Sequence, residues 1–119
     1  MQDRATRKTI LFASLNPALT DFRKRVLEAA GYRVIAINTI AEIARRCQNH
    51  KIDLVLIGSS LSSGEKRKFW AESRNLCSLI LELYSAGPPE LMDDTRTYVH
   101  HTVTSVDFVE AVQAVLRNH

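Results

Sequence analysis

Residues 52–58 are Ile-Asp-Leu-Val-Leu-Ile-Gly, a short and almost continuously apolar run that ends at a glycine. A strand with one face in water alternates apolar and polar side chains, whereas a parallel strand covered by helices on both faces is apolar throughout. Residues 9–14, 33–38 and 79–84 are similar runs, and residues 97–103 form a more polar fifth. We therefore predict five short strands of an α/β sheet.

The segments between these strands have the pattern of helices. Asn16-Pro17 favours a helix start after the first strand, because proline fits the first helical position. Apolar residues then recur at helical spacing, and Gly31 is a plausible stop. We expect these apolar positions to face the core: Leu19, Phe22, Val26 and Ala30.

Three further helices are predicted along the chain. Thr39 is the expected cap of a helix to about residue 48, and Ser105 of a last helix to about residue 117. A helix over 65–75 should direct another set of apolar residues toward the core: Phe69, Trp70 and Leu76. Only residues 87–96 connect the fourth and fifth strands, and this segment opens with two prolines, so its helix must be short or absent.

The alternation of strands and helices predicts one doubly wound domain with parallel strands and right-handed crossovers. The 119 residues suit a single domain, which we place at 9–119 after a flexible basic tail at 1–8. The net charge is +3, but the tail holds Arg4, Arg7 and Lys8 against Asp3. The domain itself is therefore nearly neutral, which argues against a large nucleic-acid footprint.

The order and spacing of these elements resemble the receiver domain of bacterial two-component response regulators. The resemblance covers residues 8–117 and rests on four segments: Ile10-Leu-Phe-Ala-Ser-Leu-Asn-Pro17, Leu27-Glu-Ala-Ala-Gly-Tyr-Arg-Val34, the run 52–57, and Tyr98 leading into the last helix. It implies a flavodoxin-like fold with strand order 2-1-3-4-5.

The resemblance also implies where a phosphorylation site would lie. The family's magnesium-binding acidic pair falls on Ser14 and Leu15, and its phosphoacceptor aspartate falls on Gly58. The hydroxyl residue falls on Ser85 and the lysine on His101. Four of these five positions are changed, and only the hydroxyl is kept.

These changes remove the chemistry of phosphoryl transfer to aspartate. Magnesium requires hard oxygen ligands, and Ser14 with Leu15 cannot replace two carboxylates. Gly58 has no side chain to form an acyl phosphate. His101 is shorter than a lysine and can be neutral at pH 7. We expect no metal site and no cofactor.

Tyr98 matches the family's switch aromatic, whose inward or outward rotamer reports activation. With Ser85 it leaves the read-out part of a switch, although ordinary packing explains both residues equally well. The leading hypothesis is a pseudo-receiver, a non-enzymatic module that binds a protein without being phosphorylated. One alternative is a phosphorelay receiver modified at a non-standard residue, such as a serine of 59–63, and a third is a nucleic-acid-associated regulator.

The last helix carries apolar residues over a wider arc than one buried stripe requires. Since receivers commonly dimerise through the fourth and fifth strands and the last helix, the resemblance implies a partner or second copy on this face. Glu82 is a carboxylate inside the fourth strand, where it is costly unless that face is exposed to water or the carboxylate is paired with a cation. Arg96 is a candidate partner. The candidate face comprises Glu82, Val106, Phe108, Val109, Val112 and Leu116.

Other classes of protein are disfavoured by spacing. The segment 58–66 has five residues between its glycines and a glutamate where a phosphate-binding loop has lysine. Residues 14–17 lack the glycines of a flavin phosphate loop, and the adjacent His100 and His101 point to opposite faces of a strand. Cys47 and Cys77 are far apart, and no apolar run could span a membrane, so we expect a cytoplasmic protein.

Overall fold

A computed structural model describes residues 7–47, 50–76, 79–91, 96–104 and 106–117. Its strands are β1 (Thr9–Ala13), β2 (Arg33–Ile37), β3 (Leu54–Ile57), β4 (Ile80–Tyr84) and β5 (Thr97–His101). Its helices are α1 (Pro17–Ala29), α2 (Ala41–Cys47), α3 (Ser63–Ser73) and α4 (Phe108–Arg117). Strand and helix alternate up to β4, as the sequence predicts.

The five strands form one parallel sheet in the order β2-β1-β3-β4-β5. The predicted strand order is therefore confirmed. Within the described residues no helix lies between β4 and β5, and residues 92–95 are outside that set. The expectation of a short or missing fourth helix agrees with this connection.

Each face of the sheet carries its own apolar core. Leu27 of α1 and Phe108 of α4 pack with one set of strand side chains, which includes Ile10 and Leu56. The other face packs residues of α2 and α3 against the alternate strand positions, among them Ile43 and Phe69. Burial on both faces explains why the central strands are continuously apolar.

α1 begins and ends where the local sequence predicts. The Asn16 side chain accepts a hydrogen bond from the backbone N–H of Leu19 at 3.0 Å, and Pro17 takes the first helical position. After the helix Gly31 has φ of 101°, a conformation that glycine adopts without a steric penalty.

The predicted buried face of α1 is wrong by about one position. Arg23 and Leu27 are the buried residues of the helix, whereas Phe22 is 43% exposed, Leu19 and Val26 are half-buried, and Ala30 is exposed. The spacing of apolar residues alone could not reveal this, because the buried stripe contains an arginine.

Three other expectations for the helices need correction or lie outside the structure. α2 begins at Ala41, and the Thr39 hydroxyl donates to Glu42 Oε1 at 3.2 Å and does not cap a longer helix. Leu76 is exposed because α3 ends at Ser73. The predicted cap at Ser105 and helix end near residue 48 lie outside the described residues.

At its N-terminal end the described chain pairs with β2. Residues 1–6 are not described, and the carbonyl of Lys8 accepts a hydrogen bond from the Arg33 N–H at 2.9 Å. The division into a tail at 1–8 and a domain at 9–119 remains a prediction. None of the helices in the described part of the chain has the length and apolar character needed to cross a membrane.

Candidate functional site

The residues singled out from the sequence lie at the carboxyl edge of the sheet. Ser14 follows β1 and Gly58 follows β3, and these strands are paired neighbours with Ala13 opposite Ile57. Ser85 follows β4 and His101 ends β5, where its Nε2 lies 3.4 Å from the Ser85 carbonyl oxygen. Parallel strands expose their carboxyl ends together, so the topology brings these positions to one edge.

Gly58 occupies a position that has no room for a side chain. Its N–H donates to the Ala13 carbonyl at 2.8 Å. A Cβ added here would lie 2.8 Å from that same backbone oxygen, 3.2 Å from the Phe12 ring and 3.3 Å from Ser14 Cβ. The glycine is therefore required by the close approach of β1 and β3 at this edge.

A cluster of hydroxyl groups fills the space beside Gly58. The buried Ser14 Oγ lies 3.0 Å from Ser60 Oγ and accepts a hydrogen bond from the Thr20 hydroxyl at 2.7 Å. Ser60 Oγ also accepts from the backbone N–H of Leu15 at 3.0 Å. These bonds join the loop after β3 directly to the loop after β1.

This donor set does not fit the magnesium ion of a receiver pocket. Magnesium prefers carboxylate oxygens, and this edge offers hydroxyl oxygens that are already bonded to one another. Leu15 contributes only an exposed apolar side chain. Among the described residues, no group of three or more His, Cys, Asp or Glu lies together as a metal site.

Two aromatic rings, those of Tyr84 and His101, stack at this same edge. The exposed His101 ring stacks on Tyr84 with centroids 5.2 Å apart and an interplanar angle of 21°. His101 therefore lies along the end of the sheet, near Ser85. Tyr98 is half-buried and packs against the core shared by α1 and α4.

The sequence patterns did not predict the buried ion pair between Lys66 and Glu82. Lys66 Nζ donates to Glu82 Oε2 at 2.8 Å and to the Leu83 carbonyl at 3.0 Å. Glu82 is fully buried, and its carboxylate also accepts the backbone N–H groups of Glu90 and Leu91 at 2.9 and 2.8 Å. The carboxylate thereby fastens the β4–β5 connection to the sheet.

Two earlier expectations about Glu82 are corrected by this arrangement. It is not on a partner surface, because none of its side chain is exposed, and its cationic partner is Lys66 of α3 and not Arg96. The spacing of Lys66, Phe69 and Ser73 places all three on the buried face of α3. That spacing is the signal that could have identified the lysine.

Arg23 is a second buried cation near the same edge. It is 4% exposed, its Nη1 donates to Ser59 Oγ at 3.2 Å, and its guanidinium lies 5.2 Å from the centroid of the Phe108 ring. Burial lowers the pKa of Arg23, while the negative charge of Asp107 acts to raise it. The arginine thus links α1 to the loop after β3 and to the start of α4.

The sequence has three groups of basic residues, at 23–25, 45–46 and 66–68, and the burial of Arg23 divides the first of them. Arg25 of the same group is paired with Asp21 at 2.6 Å. In the other groups Arg46 lies 3.7 Å from Glu42, and Arg67 lies 3.6 Å from Glu90. The nucleic-acid alternative gains no support from such partly neutralised side chains.

Most of the candidate partner face on the last helix belongs to the core. Phe108, Val112 and Leu116 are buried, so for them the prediction of an exposed face is wrong. Val106 is 48% exposed and Val109 is half-buried. The apolar arc was wide because α4 packs a broad stripe against the sheet and α1.

The fold is shared with many solved structures. A receiver domain from Methanospirillum hungatei matches with a TM-score of 0.73 and 21% identity over 95% of this chain and 96% of that one. A response regulator receiver protein from Sinorhizobium medicae gives 0.70 and 20% over 95% and 97%. A chemotaxis protein from Vibrio cholerae gives 0.69 and 14% over 92% and 99%.

These likenesses establish the class of fold. The chain has the flavodoxin-like fold of response regulator receiver domains, with four helices in the described residues. No protein-family model matches the sequence, and no curated protein matches it either. What the carboxyl edge does must therefore be argued from its own residues.

Proposed function

We propose that the chain is a receiver-like regulatory module that acts by binding a protein without aspartyl phosphorylation. The observation that carries this proposal is the steric closure at Gly58, where even a Cβ would meet the Ala13 carbonyl at 2.8 Å. The bonded hydroxyl cluster of Ser14, Thr20 and Ser60 supports it, because hydroxyl oxygens that are bonded to one another are poor ligands for magnesium. We place the module in the cytoplasm, where the free thiol of Cys47 stays reduced.

The phosphorylation part of the proposal is tested by intact-mass measurement after incubation with acetyl phosphate and magnesium. We expect no mass increase, while a receiver domain with a complete acidic pocket gains one phosphoryl group in the same reaction. A stoichiometric gain would overturn the proposal. If the modified residue then mapped to Ser59 or another serine of 59–63, the alternative of a non-standard phosphoacceptor would replace it.

The binding part of the proposal concerns the apolar surface that remains at the start of α4. Val103 is 77% exposed and Val106 is 48% exposed in the loop before α4, and the N–H of half-buried Val109 donates to the Val106 carbonyl at 3.2 Å. Exposed apolar side chains concentrated in one short segment are candidates for an interaction surface. We propose this surface, named the valine surface, as the contact with a second copy of the chain or another protein.

The valine surface is tested with Val106→Asp, measured by light scattering across a concentration series and by pull-down of the wild-type chain. We expect weaker self-association, because a carboxylate in an apolar contact must lose its hydration. Leu76→Asp is the matched control, since Leu76 is a similarly exposed apolar residue just after α3. Equal behaviour of the two variants, both folded, would contradict the proposed surface.

A further inference from the structure

The loop between β5 and α4 is organised around the carboxylate of Asp107. Its Oδ2 accepts the backbone N–H of Val103 at 2.7 Å and of Thr104 at 3.1 Å. In return the Thr104 hydroxyl oxygen accepts the N–H groups of Val106 and Asp107 at 3.3 and 3.1 Å. This reciprocal network sets the backbone that carries two residues of the valine surface.

The other carboxylate oxygen of Asp107 makes no hydrogen bond. Its Oδ1 is buried and has no hydrogen-bond partner, and 3.7 Å away lies Nε2 of His100, which is also buried and without a partner. A separation of 3.7 Å is too long for a hydrogen bond. Leaving buried polar atoms unpaired is costly, so two facing atoms in this condition require an explanation.

We propose that His100 and Asp107 form a proton-operated latch that fastens the loop of Val103 and Val106 to β5. A proton taken from solvent by the imidazole makes Nε2 a charged donor opposite Oδ1, and a small closing movement then forms a charge-assisted hydrogen bond. No other bond changes. The latch is therefore engaged when the imidazole is protonated and released when it is neutral.

The charges around His100 are consistent with this assignment. Asp107 faces it from the loop before α4, and Arg23 of α1 interacts electrostatically with Asp107. Tyr98 lies two residues earlier on β5 on the same side, and the paired residue on β4 is the uncharged Leu83. Among the described residues, the carboxylate that lies within ion-pair distance of His100 is that of Asp107 at 3.7 Å.

Asp107 is ionised throughout the neutral pH range. Burial raises the pKa of Asp107, but the hydrogen bonds from Val103 and Thr104, together with the interaction with His100, outweigh this and hold the pKa below the usual value of 3.8. An ordinary imidazole changes charge near pH 6.5. The stabilisation by the latch should therefore be present at pH 5.5 and lost as the pH rises toward 8.

The latch is tested by a double-mutant cycle on the whole chain with His100→Gln and Asp107→Asn, using urea unfolding at pH 5.5 and 8. Asparagine keeps an oxygen for the loop N–H groups while removing the charge, so Asp107→Asn should still fold. At pH 5.5 we expect a coupling of about fivefold in the unfolding equilibrium constant, as for a partly exposed ion pair, and none at pH 8. His101→Gln is the matched control, because His101 points to the other face of β5.

Amide exchange of Val103 gives a second measurement that does not depend on global stability. Relative to Asp107→Asn, and after correction for intrinsic rates, the wild-type amide should be several-fold better protected at pH 5.5 than at pH 8. A coupling that is equal at both pH values, or equal for His100 and His101, would overturn the latch. So would Val103 protection that is independent of pH.

The regulatory role of the latch rests on the proposed function, and a third measurement separates the two. Self-association of the wild-type chain should strengthen at pH 5.5, and His100→Gln should remove this pH dependence. A pH-dependent His100–Asp107 coupling with unchanged association supports the latch and counts against the valine surface. Association that is pH-dependent in wild type and His100→Gln alike counts against the latch.

Discussion

At the scale of single residues, Gly58 decides what the carboxyl edge can do. Its missing side chain allows the hydrogen bond between its N–H and the Ala13 carbonyl at 2.8 Å. The same contact leaves no space for a carboxylate at this position. The proposed absence of a phosphoacceptor therefore follows from the close packing of two strands.

Replacement of Gly58 by alanine should therefore destabilise the protein. The added Cβ would meet the Ala13 carbonyl oxygen at 2.8 Å, and overpacking of this kind costs about 1–3 kcal/mol. Urea unfolding monitors the change, with Gly64→Ala as the control. Gly64 lies in α3 with nothing near its Cβ position, so alanine there should be neutral or stabilising by up to about 1 kcal/mol. Equal stability of Gly58→Ala and wild type would contradict the proposed closure.

Single residues also show how far the sequence determined the site. The positions of Ser14, Gly58, Ser85 and His101 followed from strand order, because each directly follows or ends a strand. Ser60 was not predicted, since its role depends on how the loop after β3 folds toward Ser14. Loop conformations of this kind depend on tertiary contacts that local patterns do not encode.

At the scale of elements, the described residues of the β4–β5 connection form no helix. Hydrogen bonds to a buried carboxylate attach this connection to the sheet. The Glu82 carboxylate binds the N–H groups of Glu90 and Leu91, while Lys66 of α3 neutralises its charge. Glu82 was recognised as unusual in an apolar strand, but its partner lies on another element. Pairings across elements require the packing of α3, which hydrophobic spacing predicts only approximately.

Removal of the lysine tests this connection. Lys66→Met keeps most of the side-chain volume but leaves the buried Glu82 carboxylate uncompensated, which should cost about 3–5 kcal/mol. Glu82→Gln in the same chain should recover part of the loss, because it removes the unpaired charge. The control is Arg67→Met, which breaks an exposed pair with Glu90 at 3.6 Å and should cost at most about 1 kcal/mol. Similar values for Lys66→Met and Arg67→Met, from urea unfolding, would contradict a stabilising role of the pair.

At the scale of the whole molecule, three carboxylates make stability depend on pH in acid. Glu42, Glu65 and Asp107 each accept backbone N–H groups from residues three or four positions earlier in the chain. These hydrogen bonds hold the pKa values of Glu42 and Glu65 below the usual 4.5. In Asp107 burial raises the pKa, but the hydrogen bonds and the interaction with His100 together outweigh it.

A carboxylate with a lowered pKa stabilises the folded state above its unfolded pKa, and this stabilisation is lost as the pH falls. We therefore expect the urea midpoint to fall as the pH decreases from about 5 to 3. Glu42→Gln should reduce this dependence, because glutamine keeps the acceptor oxygen but does not titrate. A midpoint that is constant over this range, or a dependence unchanged in Glu42→Gln, would contradict the prediction.

The whole fold was more predictable than its details. Five apolar runs separated by helical segments permit few topologies, since crossovers are right-handed and both faces must be covered. The orientation of α1 was misjudged because Arg23 is buried by stacking on Phe108, a contact between distant elements. Patterns along the chain thus define the layers, and contacts between layers define the buried charges.

Trp70 gives the molecule an internal optical reporter. It is the single tryptophan of the sequence, its indole N–H donates to Thr97 Oγ1 at 3.1 Å, and Arg74 lies 4.7 Å from its ring centroid. These contacts join α3 to β5 across the side where the β4–β5 connection lies. Because solvent exposure shifts indole emission to longer wavelength, the fluorescence of one side chain can follow the opening of this side of the domain. It can do so in real time and without an added label.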